Sequence, residues 1–122
     1  MEGWIKIHRK ILEWEWYDDI NTKVLFFHLL LTANHKEKKW RGQIIQRGQK
    51  ITSISHLAKE TGLTCQQIRT SLNKLKTTNE ITTKVTNKYT LVNIEKYSDY
   101  QIFENENNKQ NNTRNNRQKT NK

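Results

Sequence analysis

The stretch SISHLAKETGLTCQQIRTSLNKL, residues 53 to 75, decides the fold. Its first residue is a serine, a common helix N-cap, and the segment that follows predicts a helix over residues 54 to about 61 that Gly62 ends. Thr64 and Gln67 have the spacing of a capping box, in which two residues satisfy each other's free backbone N–H groups. The stretch therefore predicts two helices joined by a tight glycine turn.

The second helix of this pair is expected to have one apolar and one polar face. Ile68, Leu72 and Leu75 lie at positions i, i+4 and i+7, so they predict a stripe that packs inward. Polar side chains on the opposite face can hydrogen-bond to base edges in the major groove of DNA. The residues expected to contact bases are Gln66, Gln67, Arg69, Thr70 and Asn73. Arg69 is adjacent to Ile68, and an ion pair with a surface carboxylate is an equal alternative for it.

The residues after this helix predict a β-hairpin. Residues 81 to 85 and 89 to 94 are rich in β-branched side chains. They flank residues 86 to 88, where Asn87 can take a positive φ in the turn. Upstream of the helix pair, residues 47 to 52 predict a short extended segment.

A further helix is expected over Thr22 to Ala33, with Asp18 or Asn21 as its N-cap. A helix that is apolar over most of its circumference belongs at the centre of a small fold. The charged run His35 to Arg41 is expected to be the exit loop of this helix. Its apolar stripe consists of Ile20, Val24, Phe27 and Leu31, widened by Leu25, Leu29 and Leu30.

The order of these elements predicts an α+β fold, specifically a winged helix-turn-helix that is mainly helical with the β-hairpin as its wing. In helix-turn-helix proteins the second helix of the pair enters the major groove of double-stranded DNA. Side chains that flank the groove bind phosphates, which position the protein without reading the sequence. The residues expected to contact phosphates are Thr64, Lys74, Lys76, Lys84 and Lys88.

The charge of the chain favours a polyanionic partner. It has 22 Lys and Arg against 12 Asp and Glu, a net charge of +10. Double-stranded DNA is the expected partner. A membrane is not, because no segment has the roughly 20 consecutive apolar residues of a spanning helix. The first residues lack the features of a signal peptide and Cys65 is the single cysteine, so a cytoplasmic location is expected.

The chain is expected to hold one folded domain, residues 1 to 103, followed by a disordered basic tail or linker, residues 104 to 122. The domain itself is basic, since it has 17 basic and 10 acidic side chains, a net charge of +7. The tail contains eight Asn and no aliphatic or aromatic side chain. Such a segment buries too little apolar surface to offset the entropy of ordering.

The first 17 residues are rich in aromatic side chains without a clean period. Trp4, Trp14, Trp16 and Tyr17 are expected to pack on the domain within a strand and a short helix. The alternative is that these side chains are exposed and anchor a protein partner, because tryptophan is enriched at interface hot spots. A homo-oligomer in which this segment packs against its copy is one form of that alternative.

No residue pattern predicts catalysis. The four His and the single Cys lack metal-ligand spacing, and the four Gly do not form a phosphate-binding loop. The pair Asp18-Asp19 is explained by its position at a helix start. We expect no enzymatic activity, no metal and no cofactor.

The chain resembles the N-terminal domain of phage replisome-organiser and DnaD-like replication proteins. The segments that carry this resemblance lie between residues 3 and 101: Gly3–Leu12, Arg47-Gly48-Gln49, Ser53, Leu57-Ala58, Ile68–Leu72, Leu75, Glu80–Thr82, Thr86–Thr90 and Ile94–Gln101. The resemblance implies a winged-helix module that marks a phage or prophage replication origin and recruits a host helicase loader or helicase. Longer relatives carry a second domain after a polar linker, so the resemblance implies a short or a truncated member, of which DNA binding alone is expected. A transcriptional regulator with the same fold is the alternative.

Overall fold

The computed structural model of the chain describes residues 3 to 100, in which three α-helices combine with two small antiparallel sheets in an α+β arrangement. Short 3₁₀ helices, Arg9–Glu13 and Tyr97–Asp99, lie before and after them. The predicted domain boundary at residue 103 and the predicted tail, residues 104 to 122, lie outside the described residues. In chain order the elements are α1 (Ile20–Thr32), β1 (Lys38–Trp40), β2 (Gln43–Ile45), β3 (Gln49–Thr52), α2 (Ile54–Thr61), α3 (Cys65–Thr77), β4 (Ile81–Val85) and β5 (Thr90–Ile94).

The predicted helix pair and its caps are confirmed. The Ser53 hydroxyl accepts the backbone N–H of His56 at 3.1 Å and starts α2, and Gly62 ends it with a φ of +84°. At the start of α3, the Thr64 hydroxyl accepts the Gln67 backbone N–H at 3.1 Å, and the Gln67 side-chain oxygen accepts the Thr64 N–H at 2.9 Å. Each cap satisfies a backbone donor that the helix itself leaves free.

The end of α3 sets the position of the next strand. Asn79 has a φ of +64°, its N–H donates to the Lys76 carbonyl at 3.1 Å, and the Glu80 N–H donates to the Leu75 carbonyl at 3.0 Å. This is the hydrogen-bond pattern of a Schellman motif, which reverses the chain directly after a helix. The motif leads the chain into β4 within four residues of the end of the helix.

The second half of the chain forms a three-stranded antiparallel sheet in the order β3-β5-β4. Ile81 pairs with Ile94 and Thr83 with Val92, so alternate residues point towards the helices. Because β5 is central, the hairpin β4–β5 is fixed to the rest of the domain through β3. The core under this face consists of Leu25, Phe26, Leu29, Leu30, Ala33, Leu57, Ile68, Leu72, Leu75, Ile81, Val92, Ile94 and Tyr97.

The helix α1 is central, as predicted, and the buried residues Leu25, Leu29 and Leu30 belong to its predicted stripe, but its predicted N-caps and most of the rest of that stripe were wrong. Its N-cap is Asp19, whose carboxylate accepts the Thr22 N–H at 3.2 Å, and neither Asp18 nor Asn21. Its buried face consists of Thr22, Leu25, Phe26, Leu29 and Leu30, whereas three of the four predicted stripe residues are exposed: Ile20, Val24 and Leu31. A helix that is apolar all round gives no signal in its periodicity of which face the rest of the fold covers.

The predicted exit loop, residues 35 to 41, was also wrong. Its second half is β1, which pairs with β2 in a separate two-stranded hairpin. The turn residues Arg41 and Gly42 have φ values of +49° and +79°, as a two-residue primed turn requires. The Trp40 ring contacts the Tyr89 ring edge-on at 5.1 Å between centroids. This contact attaches the first hairpin to the second.

The turn of the hairpin β4–β5 does not use a positive φ at Asn87, as the sequence predicted, since Arg41 and Asn79 are the non-glycine residues with positive φ among those described. Instead, the Thr86 hydroxyl accepts the backbone N–H groups of Lys88 at 3.2 Å and Tyr89 at 3.1 Å. Threonine hydroxyls form such turns by satisfying the backbone locally. The predicted hairpin is therefore present with a different turn.

Asp19→Ala is expected to lower the free energy of unfolding by about 1 to 2 kcal/mol, because it removes both the cap of α1 and an ion pair with Lys74. The hydrogen bond from Lys74 holds the pKa of the Asp19 carboxyl below its ordinary value of 3.8. A carboxyl with a lowered folded pKa stabilises the fold above its unfolded pKa, and this contribution is lost as the pH falls through the folded pKa. Urea denaturation at about pH 7 and about pH 2.5 should therefore give a smaller difference from wild type at the lower pH. A difference that is equal at both pH values would contradict the role of the charge.

Candidate nucleic-acid interface

The outer face of α3 is polar and exposed. Gln66, Thr70 and Asn73 recur at helical spacing, and each is exposed. They lie opposite the buried stripe of Ile68, Leu72 and Leu75, whose burial confirms the predicted inward face. Short amides and hydroxyls in a row along one exposed helix face can donate to and accept from base edges. This face is the part of the predicted site that the structure brings together.

Two predicted residues at the start of α3 have another role. The Gln67 side-chain oxygen and the Thr64 hydroxyl are occupied by the capping box described above. The Gln66 amide donates to the Thr70 hydroxyl at 3.4 Å, a long bond on the exposed face that a ligand can replace. Gln66, Thr70 and Asn73 are therefore better suited than Gln67 to contact a base.

The predicted cations of α3 differ in their surroundings. Arg69 and Lys76 are exposed, and Arg69 has no salt bridge among the described residues, which leaves its predicted ion-pair alternative without a partner there. Lys74 is half-buried, with its ammonium 2.6 Å from the Asp19 carboxylate and 5.5 Å from the centre of the Trp16 ring. Lys74 therefore links α3 to the start of α1 instead of facing solvent fully.

The hairpin β4–β5 carries the other predicted phosphate ligands. Lys88 is exposed at its tip, next to the Thr86 turn. Lys84 is also exposed, but strand alternation places it with Thr82 on the face of the sheet that points away from the helices. On that face the Glu95 carboxylate accepts hydrogen bonds from Thr82 at 3.0 Å and Asn93 at 2.6 Å. Of the two hairpin lysines, Lys88 is thus the one farther in sequence from the nearest acidic residue.

The segment from residue 61 to residue 94 has a positive charge balance. It contains five Lys or Arg and a single acidic residue, Glu80. The Glu80 carboxylate accepts the indole N–H of Trp14 at 3.0 Å and the hydroxyl of Thr78. Because it is held at the edge of the core, this acid does not interrupt the outer face of α3.

A basic feature that the sequence prediction missed is the hairpin β1–β2. It presents Lys38, Lys39 and Arg41 to solvent, and Arg41 lies over the Trp40 ring at 5.2 Å from its centre. The signal that could have revealed it is the dipeptide Arg41-Gly42 between two three-residue segments, but the flanking residues do not alternate between apolar and polar. The hairpin lies next to the tip of β4–β5, so it extends the basic region beyond the predicted residues.

The aromatic side chains near the start of the chain divide between the two predicted roles. Trp14 and Trp16 are half-buried, and the indole N–H of Trp16 donates to Thr78 at 2.9 Å. The Trp14 ring lies 5.0 Å from the Phe26 ring. Trp4, by contrast, is 77% exposed. The described part of the segment contains the 3₁₀ helix and a single bridge residue, Ile5, in place of a strand.

Polar clusters elsewhere in the fold have structural explanations. His28 on α1 lies 2.9 Å from Glu60 on α2, and this hydrogen bond holds the pKa of the Glu60 carboxyl below its ordinary value. Cys65 is half-buried at the start of α3. Within residues 3 to 100, no group of three or more His, Cys, Asp or Glu is placed to hold a metal ion. None of the helices in that range is both long enough and apolar enough to cross a membrane.

Comparisons with known proteins do not assign the chain to a family. No family model, no curated protein and no solved structure matches it.

Proposed function

We propose that the chain is a winged helix-turn-helix domain that binds double-stranded DNA, with α3 in the major groove and the hairpin β4–β5 as the wing. The observation that carries the proposal is the exposed row of Gln66, Thr70 and Asn73 on a helix that follows a short turn and precedes an antiparallel hairpin. The arrangement of α1, β3, α2, α3, β4 and β5, with β3 paired to the second strand of the hairpin, supports it.

Charge supports the same partner. A DNA-binding domain needs cations near the groove because phosphate contacts provide most of its nonspecific affinity. Arg69 and Lys76 are exposed along one edge of the outer face of α3, and Lys88 lies at the tip of the hairpin. The biological setting that we propose, from the resemblance described above, is a phage or prophage replication origin, where the domain would recruit a helicase loader or helicase. A transcriptional operator is the alternative setting for the same interface.

Selection from a randomised duplex library, followed by fluorescence anisotropy with an enriched and a scrambled duplex, tests the proposal. We expect an enriched sequence that binds about 10³-fold or more tightly than the scrambled one at physiological salt. Equal binding of both duplexes would reject base reading by α3. Absence of duplex binding even at low salt would reject the proposed function.

Lys84→Ala combined with Lys88→Ala is expected to weaken binding of the enriched and the scrambled duplex by the same factor, because phosphate contacts do not read sequence. The slope of log affinity against log salt should become shallower by about 0.9 for each phosphate that the variant no longer binds. Salt titrations by anisotropy measure both quantities. The matched control is Lys10→Ala combined with Lys36→Ala, which removes the same charge from exposed positions outside the interface. An equal slope change in the control would show that net charge, and not the hairpin, is responsible.

A second candidate function, a protein-interaction module, is favoured by the outer face of α1. Ile20, Val24 and Leu31 are 69%, 38% and 54% exposed, and with half-buried Phe27 they follow the four-three spacing of a seam between two helices. A second copy of the chain has a helix with the same apolar face. The two copies of α1 would pack against each other in antiparallel orientation. Such an isologous pair is the commonest form of homo-oligomer.

Leu31→Glu is expected to convert an oligomer of the wild-type chain to a monomer, because it places a charge in the seam. Light scattering measures the mass in solution. Val85→Glu, at a residue that is 72% exposed on the hairpin, is the matched control and should leave the mass unchanged. A wild-type chain that is monomeric at high concentration would reject self-association through α1.

A further inference from the structure

A cleft of 650 Å³ is lined by residues of the hairpin β1–β2, the start of α2 and the tip of β4–β5. It lies outside the outer face of α3, and it shares only Lys88 with the interface proposed above. Its walls include Trp40 and Arg41 from the first hairpin, His56 from α2, and Lys88 and Tyr89 from the second hairpin. Its volume is in the range of sites that bind small organic molecules.

The aromatic side chains in this cleft are held in place. The Trp40 and Tyr89 rings are nearly perpendicular, at 87°, with 5.1 Å between centroids. The Gln43 amide donates to the Tyr89 hydroxyl at 2.9 Å, which fixes the Tyr89 ring from its outer end. Trp40 is half-buried, so one part of its indole is packed and another part remains open. A fixed, partly open indole is a platform on which a flat heterocycle can stack.

The charges around the cleft favour an anion. Arg41 and Lys88 are exposed cations in its walls, and no lining residue is a carboxylate. His56 also faces the cleft, although its ring lies 3.9 Å from the Glu60 carboxylate on the same helix. The Arg41 guanidinium lies 5.2 Å from the centre of the Trp40 ring. A base that enters the cleft can take the place of the guanidinium on the indole, while the guanidinium stays within reach of the attached phosphate.

An aromatic platform beside cations matches a nucleotide, because a nucleotide has both a flat base and an anionic phosphate. An anion without a ring, such as inorganic phosphate, does not use Trp40, and a neutral aromatic molecule does not use Arg41 or Lys88. Within a duplex the flat faces of the bases are covered by their neighbours, so a base can stack on protein only when it is unpaired. The complementary ligand is therefore an unpaired nucleotide, in single-stranded nucleic acid or free.

We infer that this cleft binds one unpaired nucleotide of a single strand, with the base stacked on Trp40 and its phosphate between Arg41 and Lys88. This site shares Lys88 with the proposed duplex interface, but it contains no residue of α3 and does not depend on base reading by that helix. A domain that has both sites binds a duplex through α3 and, in the cleft beside the hairpin β4–β5, a single strand that has separated from that duplex. Single-strand capture next to a bound duplex is the use that the position of the cleft supports.

Fluorescence anisotropy of a labelled eight-residue oligo-dT, with the full chain, tests the inference. Trp40→Ala is expected to weaken binding by about 5- to 100-fold, because stacking on an aromatic side chain contributes this much per base. Trp40→Phe should retain most of the affinity, since it keeps a ring. Trp4→Ala removes a tryptophan outside the cleft and is the matched control. Arg41→Gln removes a cation without removing the platform, and it should both weaken binding and make its salt dependence shallower.

The outcomes separate this inference from the proposed duplex function. Loss of oligo-dT binding in Trp40→Ala, with duplex affinity within twofold of wild type, supports the cleft. Unchanged oligo-dT binding in both Trp40→Ala and Arg41→Gln overturns it, as does a wild-type chain that binds no oligo-dT, whatever its duplex affinity. If Trp40→Ala alters the urea midpoint, Arg41→Gln, at an exposed residue, decides the result. If dTMP displaces the labelled oligo-dT at a concentration no higher than unlabelled oligo-dT needs, the cleft binds a free nucleotide. That result would overturn binding of a single strand.

Discussion

Gly48→Ala is expected to lower the free energy of unfolding by about 3 to 5 kcal/mol, the largest effect of any single substitution that we predict. Gly48 has a φ of +84°, and a Cβ at this position would lie 2.7 Å from Cβ and 2.9 Å from Cγ of Tyr97. Tyr97 is 5% exposed within the core. The clash therefore involves the root of a packed side chain, which cannot rotate away as a flexible end could.

Hydrogen bonds on both sides of Gly48 oppose a backbone shift that would relieve this contact. The Gly48 N–H donates to the Asn34 carbonyl at 2.7 Å, and its carbonyl accepts the Ile94 N–H at 2.9 Å. These bonds attach the residue both to the end of α1 and to the central strand β5. A movement of Gly48 away from Tyr97 would break one of them. Steric strain and broken hydrogen bonds thus add to the unfavourable positive φ of alanine.

Gly42→Ala is the matched control for this prediction. Gly42 has a similar φ, +79°, but a Cβ there would meet no atom within 4 Å. Only the conformational strain remains, so we expect a loss of about 1 kcal/mol. Urea denaturation followed by circular dichroism measures both variants. Equal midpoints for Gly48→Ala and Gly42→Ala would show that the contact with Tyr97 can be relieved at little energetic cost.

Local signals explain which elements the sequence could predict. The caps at Ser53, Gly62 and Thr64 each act within four residues of their own position, so the residue types alone indicate where α2 and α3 begin and end. The stripe Ile68, Leu72 and Leu75 faces inward because the opposite side of α3 is fully polar. A helix with a clear contrast between its faces can be oriented from its sequence.

The elements that the sequence misplaced depend on contacts between distant residues. Apolar residues lie around most of α1, so its buried face follows from tertiary packing, including a hydrogen bond of 3.0 Å from Thr22 to Ser71 on α3. The strands β1 and β2 have three residues each and are held in part by Trp40 against Tyr89. Lys74 has the sequence position of a phosphate ligand, but Asp19, 55 residues away, lies against its ammonium. Such pairings have no local signature.

Gln66→Ala combined with Asn73→Ala is expected to weaken binding of the enriched duplex by about 30-fold or more, because each amide paired with a base edge contributes roughly 1 to 3 kcal/mol of discrimination. Binding of a scrambled duplex should change little, since its affinity comes from phosphates. The quantity to measure is therefore the ratio of the two affinities by anisotropy. We expect this ratio to fall towards one.

The choice of residues makes this test independent of folding. Gln67 is also on α3, but its side chain closes the capping box with Thr64, so its removal would weaken the helix as well as any base contact. Neither Gln66 nor Asn73 caps a helix, and both are exposed. Gln46→Ala, an exposed amide outside the interface, is the matched control. If both duplexes lose affinity equally in the double variant, or if neither does, α3 does not read bases, and the row of amides on its outer face is an ordinary solvated helix surface.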